Sequence, residues 1–271
     1  MHGLGPFAES GRRPRANDLS DMVQPLPPRV QLVLGASGGI GSALTRRLRE
    51  RGDTVLTLAR DAGRLEELCA ETGALPLPGD ARDPVQVGAA VQHAVADHGR
   101  LDGAACLIGS ILLKPAHRTK SAELTEVLQQ NLFPAFHLVG AAAPAMGRKG
   151  GGTIALLSSA AARHGLPNHE AIAAAKAGVE GLARSAAATY AGRGVRVNAV
   201  APGLVRTPLS ERLTGSPASL EASQAMHPLG RIGEADEVAS LLSWLLGPDA
   251  TWVTGQTLGI DGGLAGVAAR R

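Results

Sequence analysis

Short apolar runs alternate with stretches of helical spacing from residue 30 onward. The runs predict buried strands, and the stretches between them place apolar residues every three or four positions, as in amphipathic helices. Strands that alternate with helices of ten or more residues are typical of βαβ units and a parallel sheet. The predicted strands are 30–35, 54–59, 104–108, 153–157, 195–200 and 257–260, and the predicted helices are 41–50, 62–71, 84–98, 122–146, 170–191 and 234–246.

Local signals mark several of these boundaries. Asp61 and Asp83 are suited to cap the helices that follow them, and Pro84 is favourable at a first helical position. Pro134 and Pro144 interrupt the long helical stretch. No internal repeat or second hydrophobic core is visible. The sequence therefore predicts an α/β fold, in which residues 30–271 form a single domain with a doubly wound parallel sheet of Rossmann type, about seven strands flanked by helices.

Composition narrows the function classes. Aromatic residues make up 2% of the 271 residues, so the core must be built from Ala, Val, Leu and Ile. The net charge of +3 is small, and no basic run is interleaved with aromatic residues, which argues against a nucleic-acid partner. No apolar stretch reaches the length of a membrane span. Cys69 and Cys106 lack the spacing of a metal site, and the pattern favours a reducing, cytoplasmic location.

Residues 1–29 differ from the rest of the chain. They carry five prolines and scattered charge without a hydrophobic segment. This composition predicts a flexible tail rather than a signal peptide or a packed element, with Met22 as an alternative start.

A glycine-rich turn connects the first predicted strand to the first predicted helix. Its spacing is Gly35-x-x-x-Gly39-x-Gly41, with Ser37 and Ile40 in the same turn. Glycines let the backbone approach a pyrophosphate closely, and the helix N-terminus offers free N–H groups and partial positive charge. The strand–turn–helix context therefore predicts a dinucleotide site formed by these five residues.

The end of the second strand bears on which dinucleotide binds. An NAD site places a carboxylate there, whereas a 2′-phosphate needs a cation. Ala59 is followed by Arg60, whose planar guanidinium can hold a phosphate, and the helix cap accounts for Asp61. The sequence favours NADP over NAD.

Further motifs follow in a fixed order. They are Asp80, Asn131, Ser159, Lys176, Pro202-Gly203 with Thr207, and the ending Thr254-Gly255-Gln256 through Asp261-Gly262-Gly263. Together with the glycine turn, these residues resemble the short-chain dehydrogenase/reductase family over residues 30–264.

The resemblance implies a role for each matching residue. Asp80 would contact adenine, and Asn131 would hold a structural water in a proton relay. Ser159 and Lys176 would be catalytic, with Lys176 also binding the nicotinamide ribose, and Pro202, Gly203 and Thr207 would contact nicotinamide. The resemblance also implies a substrate lid near residues 210–226, a small-molecule substrate, and a homotetramer or homodimer.

Two positions depart from the family pattern. In the family, an asparagine-rich stretch follows the fourth strand of the sheet. At the matching positions this sequence reads Cys106-Leu107-Ile108-Gly109. More seriously, Ile172 occupies the position of the family's catalytic tyrosine. The register is clear, because Ile172 lies thirteen residues after Ser159 and four before Lys176.

Isoleucine has neither a hydrogen-bond donor nor an acceptor. A positioned general acid typically contributes about 10²- to 10⁴-fold to a rate, so its loss implies slow turnover, another acid, or a reaction that needs little acid. Tyr190, the only tyrosine, lies roughly 21 Å along the helix from Lys176 at 1.5 Å per residue. His169 is the candidate proton donor, ahead of Glu170 and His164, and an ordered water is an alternative.

Two function classes remain. The favoured one is an NADP-dependent oxidoreductase that transfers hydride to or from a carbonyl, an imine or an activated alkene, and Ile172 favours an iminium or activated alkene over a simple ketone. The alternative is a catalytically weak or inactive dinucleotide-binding protein that acts as a sensor or assembly subunit. The retained Ser159, Asn131 and Lys176 favour the enzyme, and no metal site is expected.

Overall fold

The computed structural model describes residues 28–267, so most of the predicted tail lies outside the described residues. The strands are β1 (Val30–Leu34), β2 (Thr54–Ala59), β3 (Leu75–Pro78), β4 (Gly103–Cys106), β5 (Gly152–Leu157), β6 (Val195–Pro202), β7 (Val205–Arg206), β8 (Gly233–Glu234) and β9 (Thr257–Ile260). The helices are α1 (Gly39–Glu50), α2 (Ala62–Thr72), α3 (Pro84–His98), α4 (Ser121–Asn131), α5 (Phe133–Gly147), α6 (Glu170–Tyr190), α7 (Glu211–Thr214), α8 (Pro217–Ala225) and α9 (Ala235–Leu245).

Seven strands form one parallel sheet in the order β3-β2-β1-β4-β5-β6-β9. The order reverses between β1 and β4, where the chain changes its direction of growth across the sheet. In sheets of this kind, ligands bind in the crevice at the carboxyl ends of the strands beside that reversal. The prediction of a doubly wound α/β domain is confirmed.

Helices cover both faces of the sheet. All five residues of β1 are buried, and they alternate between the two core layers. Leu32 and Leu34 pack with apolar residues of α3, α5 and α6, whereas Val33 packs with those of α1, α2 and α9. The first of these layers contains many alanines, as the low aromatic content requires. Cys69 and Cys106 are free and buried.

The long predicted helix is divided in two. Helix α4 ends at Asn131 and α5 begins at Phe133. Pro134 explains the break, because it has no N–H to donate and its ring crowds the carbonyl four residues earlier. Pro144, by contrast, lies within α5 without ending it.

The hydrophobic pattern missed three short strands. Strand β3 reads Leu-Pro-Leu-Pro, and its prolines Pro76 and Pro78 hide the strand signal. Proline is tolerated here because β3 is an edge strand. The other two strands, β7 and β8, have two residues each and form a separate parallel pair. Within residues 28–267, no helix combines the length and apolarity that a membrane span requires.

Candidate active site

A cleft of about 580 Å³ opens at the carboxyl ends of the central strands. It receives residues from the turns after β1, β2, β3, β4, β5 and β6. Of the fourteen positions that the sequence predicts for the site, thirteen line this cleft: Gly35, Ser37, Gly39, Ile40, Gly41, Arg60, Asp80, Asn131, Ser159, Lys176, Pro202, Gly203 and Thr207. Ile172 lines it as well.

The glycine turn forms one end of the cleft. Gly35 has φ +83°, a backbone conformation that side chains disfavour. A methyl group on Gly41 would overlap the Gly35 carbonyl oxygen and lie 2.8 Å from the Ala36 Cα. Helix α1 starts after Gly38 without a side-chain cap, so its first N–H groups remain available to a ligand. The turn thus requires residues without a side chain at Gly35 and Gly41.

Charged residues surround the end of the cleft beside β2 and β3. Arg82, which sequence reasoning missed, pairs with Asp80 at 2.6 Å and holds the pKa of that carboxyl below its ordinary value. Asp61 accepts a hydrogen bond from the Arg64 backbone and caps α2, as predicted. Arg64 also lines the cleft, and among the described residues Arg60 makes no ion pair.

Lys176 is buried, with 5% of its surface exposed. Its Nζ donates to the Leu157 carbonyl oxygen at 2.8 Å, and no carboxylate among residues 28–267 pairs with it. Burial lowers the pKa of Lys176 to about 8. Burial also raises the pKa of the neighbouring Cys106 thiol to about 11, so this cysteine is held as an inert thiol.

Two consecutive serines after β5 are used differently. The Ser158 hydroxyl donates towards helix α6, where the Glu180 carboxylate lies at 2.9 Å. The Ser159 hydroxyl oxygen instead accepts the Ala161 backbone N–H at 3.2 Å and caps the 3₁₀ turn Ala160–Ala162. Ser159 therefore keeps its hydroxyl hydrogen for another partner.

Ile172 lies one helical turn before Lys176 on α6 and is 5% exposed. It packs in an apolar cluster that includes Val127, Leu112 and Leu128. The position beside the lysine is therefore filled by hydrocarbon. Tyr190 lies at the last residue of α6, packed against the core of the sheet, and is not part of the cleft lining.

His169 is the one predicted site residue that the structure does not bring into the cleft lining. It is half-buried just before α6, and its Nδ1 lies 2.8 Å from the Pro167 carbonyl oxygen. That contact requires a proton on Nδ1, which leaves Nε2 as an acceptor in the neutral ring. The preceding Asn168 has φ +64°, and its carbonyl accepts the Lys114 backbone N–H at 2.7 Å. The role of His169 as proton donor stays a prediction.

A histidine that follows helix α8, and that sequence reasoning also missed, bonds the turn after β6. His227 is buried, and its Nε2 accepts the Leu204 backbone N–H at 3.1 Å while Nδ1 lies 2.8 Å from the Ser223 carbonyl oxygen. Gly203 permits this approach, because a Cβ there would lie 2.6 Å from Nε2. His227 thus connects the turn after β6 to helix α8. No motif signals it, since its partners are backbone groups distant in sequence.

Asn131 is fully engaged at the end of α4. Its Oδ1 accepts the Ser110 backbone N–H at 3.1 Å, and its Nδ2 donates to the Ser110 hydroxyl oxygen and to the Val127 carbonyl, each at 2.9 Å. Ser110 lines the cleft and follows Gly109, which lies three residues after the end of β4 at Cys106, and sequence reasoning missed this serine. A Cβ on Gly109 would lie 2.9 Å from the Asn131 Oδ1 and 3.4 Å from the Lys176 Nζ.

Comparisons with known proteins agree with this geometry. The family profile described as enoyl-(acyl carrier protein) reductase matches residues 35–265. The chain is 34% identical over 244 residues to a 3-oxoacyl-(acyl-carrier-protein) reductase of Thermotoga maritima, which covers 88% of this chain and 98% of that protein.

Two solved structures have the same fold. A short-chain type dehydrogenase/reductase from Mycobacterium ulcerans superposes with a TM-score of 0.81 at 33% identity, covering 88% of this chain and 90% of the other. A variant of actinorhodin polyketide ketoreductase solved with NADPH gives a TM-score of 0.84 at 28% identity, covering 89% and 98%. The chain belongs to the short-chain dehydrogenase/reductase family.

Proposed function

We propose that this protein is an NADPH-dependent oxidoreductase that transfers hydride to a small organic substrate with an electron-poor double bond. The observation that carries the proposal is the cleft itself, which brings the glycine cradle together with Lys176 and Ser159. The relatives named above are reductases, and one was solved with NADPH.

The cleft fits a dinucleotide. The glycine turn and the uncapped start of α1 would hold the pyrophosphate, and Lys176 would donate to the nicotinamide ribose. At the other end, Arg82 pairs with Asp80 and Arg64 pairs with Asp61, so that Arg60 gives the adenine side of the cleft a net positive charge. This charge favours a 2′-phosphate and hence NADP over NAD. When bound, the cofactor supplies the hydride.

The surroundings of Ile172 limit the substrate class. Reduction of a simple ketone leaves an alkoxide that needs a proton at once, and the side chain beside Lys176 cannot give one. An iminium already carries the charge that hydride neutralises, and an alkene conjugated to a carbonyl spreads the new charge onto oxygen. The matching family profile, described as an enoyl reductase, names a reaction of the second kind. Water would supply the later proton, or His169 would do so from Nε2 in the form of its ring that carries a proton on both nitrogens.

Ile172 also favours one alternative. A binding protein without catalysis would keep the cofactor cradle but would not need the tyrosine that the family has at position 172. The apolar packing of Ile172 agrees with such a loss. In this case the protein binds NADPH as a sensor or assembly subunit.

The test follows NADPH oxidation with a panel comprising a cyclic ketone, a cyclic imine, an α,β-unsaturated ketone and an α,β-unsaturated thioester. The unmodified protein, Ile172→Tyr and His169→Ala are compared, with circular dichroism to check folding. Turnover of an alkene or imine by the unmodified protein supports the enzyme, and a further loss in His169→Ala identifies the proton donor. Turnover only in Ile172→Tyr favours the binding role, and efficient ketone reduction by the unmodified protein refutes the substrate class.

We also propose an oligomer, a tetramer or a dimer. Two of the three phenylalanines, Phe133 and Phe136, are exposed on α5, next to the alanine-rich α6. Light scattering that gives a monomer mass at every concentration would contradict this.

A further inference from the structure

Ser110 is held by two hydrogen bonds from one side chain. Its backbone N–H reaches the Asn131 Oδ1 at 3.1 Å, and its hydroxyl oxygen lies 2.9 Å from the Asn131 Nδ2. The amide orientation is determined by its surroundings, because the Ser110 N–H needs an acceptor and the Val127 carbonyl needs a donor. Asn131 is 2% exposed, so the Asn131 side of this two-bond clamp is screened from water.

The two bonds to Asn131 determine whether the Ser110 hydroxyl oxygen donates or accepts a hydrogen bond in that contact. An amide NH₂ only donates, so the hydroxyl oxygen must be the acceptor in that contact. The hydroxyl hydrogen is left over, and no protein acceptor for it lies within hydrogen-bond distance among residues 28–267. Since Ser110 lines the cleft, this donor is available to whatever binds there.

The hydroxyl of Ser159, which follows the neighbouring strand β5, is held in the same way. Its hydroxyl oxygen accepts the Ala161 N–H, which again leaves the hydrogen uncommitted. Ser110 and Ser159 follow β4 and β5, which are adjacent in the sheet, and both line the cleft with Ile172. The cleft therefore contains two hydroxyl donors, each with its oxygen already held by a backbone or amide N–H group.

We propose that Ser110 is a second catalytic hydroxyl, which together with Ser159 donates a hydrogen bond to the substrate oxygen on which charge develops. The proposal rests on the proposed function and deepens it, since it requires a substrate whose reducible double bond is conjugated to a carbonyl. Ser110 and Ser159 would then be two neutral hydrogen-bond donors in a site where Ile172 supplies none.

The chemistry balances without a new reactant. Hydride brings two electrons to the substrate carbon distant from the carbonyl, the carbon–carbon π pair moves towards the carbonyl, and the oxygen takes the negative charge. The two serine O–H bonds stay intact and stabilise that oxygen by hydrogen bonding. The product is completed when the carbon next to the carbonyl takes a proton from water or His169.

The test compares Ser110→Ala with Ser110→Thr, which keeps the hydroxyl, and with Ser185→Ala, which removes an exposed hydroxyl from α6. Turnover of the α,β-unsaturated thioester is measured as kcat and KM, and NADPH affinity is measured separately by fluorescence titration. Removing one preorganised donor to a developing oxyanion lowers kcat by on the order of 10²-fold. We expect that loss in Ser110→Ala, recovery of most of it in Ser110→Thr, and an unchanged NADPH Kd in all variants.

The outcomes separate this proposal from the proposed function. If the unmodified protein binds NADPH but reduces no member of the panel, the function is wrong and the role of Ser110 is refuted with it. If the unmodified protein is active and Ser110→Ala retains its kcat, only the role of Ser110 is refuted. Equal losses of kcat in the Ala and Thr variants also overturn it, because they show that the hydroxyl is not what matters.

Discussion

Replacement of Lys176 by methionine makes the stability of the protein respond differently to pH. The ammonium is buried without a carboxylate partner, and its pKa is about 8 against an ordinary value of 10.5. Below pH 8 the lysine is charged in both the folded and the unfolded chain, and the folded chain carries the whole cost of burying that charge. That cost corresponds to roughly 3 kcal/mol, at 1.36 kcal/mol for each pKa unit.

The sign of the pH dependence follows from proton binding. Between pH 8 and 10.5 the unfolded chain binds a proton at Lys176 that the folded chain has released, so the contribution of Lys176 to the free energy of unfolding rises with pH. Lys176→Met cannot show this rise. The variant also loses the hydrogen bond to the Leu157 carbonyl, a cost that does not change with pH. The advantage of the variant over the unmodified protein therefore shrinks by roughly 2 to 3 kcal/mol between pH 7 and 10.

Urea unfolding of the cofactor-free protein at pH 7, 8, 9 and 10 measures this difference directly. Groups that titrate in both proteins cancel in the comparison. Lys149→Met is the matched control, because Lys149 is exposed and its substitution leaves the pH dependence unchanged. A difference between Lys176→Met and the unmodified protein that stays constant from pH 7 to 10 would refute the reasoning.

Three further substitutions test the cleft and the histidine that holds the turn beside it. Gly41→Ala places a methyl group against the Gly35 backbone, which cannot move cheaply, so calorimetry should detect at least a tenfold loss of NADPH affinity and thermal unfolding a lower Tm. Arg60→Ala should raise the Kd for NADPH by about tenfold, the equivalent of roughly 1.4 kcal/mol, and leave the Kd for NADH unchanged; equal effects on both would show that Arg60 does not contact the 2′-phosphate. His227→Phe leaves the Leu204 N–H without its partner inside the protein, and we expect a loss of about 1–3 kcal/mol in urea unfolding, whereas an unchanged midpoint would contradict that role.

The sequence predicted the residues of the glycine turn that the structure places in the cleft, because these residues give local signals. Gly35, Gly39 and Gly41 are three residues of one turn, and their spacing between a strand and a helix indicates a backbone cradle. Helix limits marked by Asp61 and Asp83 are local in the same sense, since each side chain caps the helix that follows it.

The parts that were missed depend on contacts between distant segments. Ser110 and Asn131 are twenty-one residues apart, and His227 bonds the backbone of a turn twenty-three residues earlier. Neither pair has a spacing that a single sequence reveals. Strand β3 was obscured in another way, because Pro76 contradicts strand propensity and only the position at the sheet edge makes it acceptable.

Those edge prolines also determine where the sheet can be extended. Pro76 and Pro78 are two residues apart, so their nitrogens face the same side of β3, and the intact pairing with β2 places that side outward. A strand added from another chain would find no N–H donor at either position. Edge-to-edge aggregation is thereby blocked at this margin, which is how natural sheets protect an open edge. Within residues 28–267, the margin of the main sheet that carries no proline is the opposite one, at β9, and a strand from another copy of this chain would have to pair there.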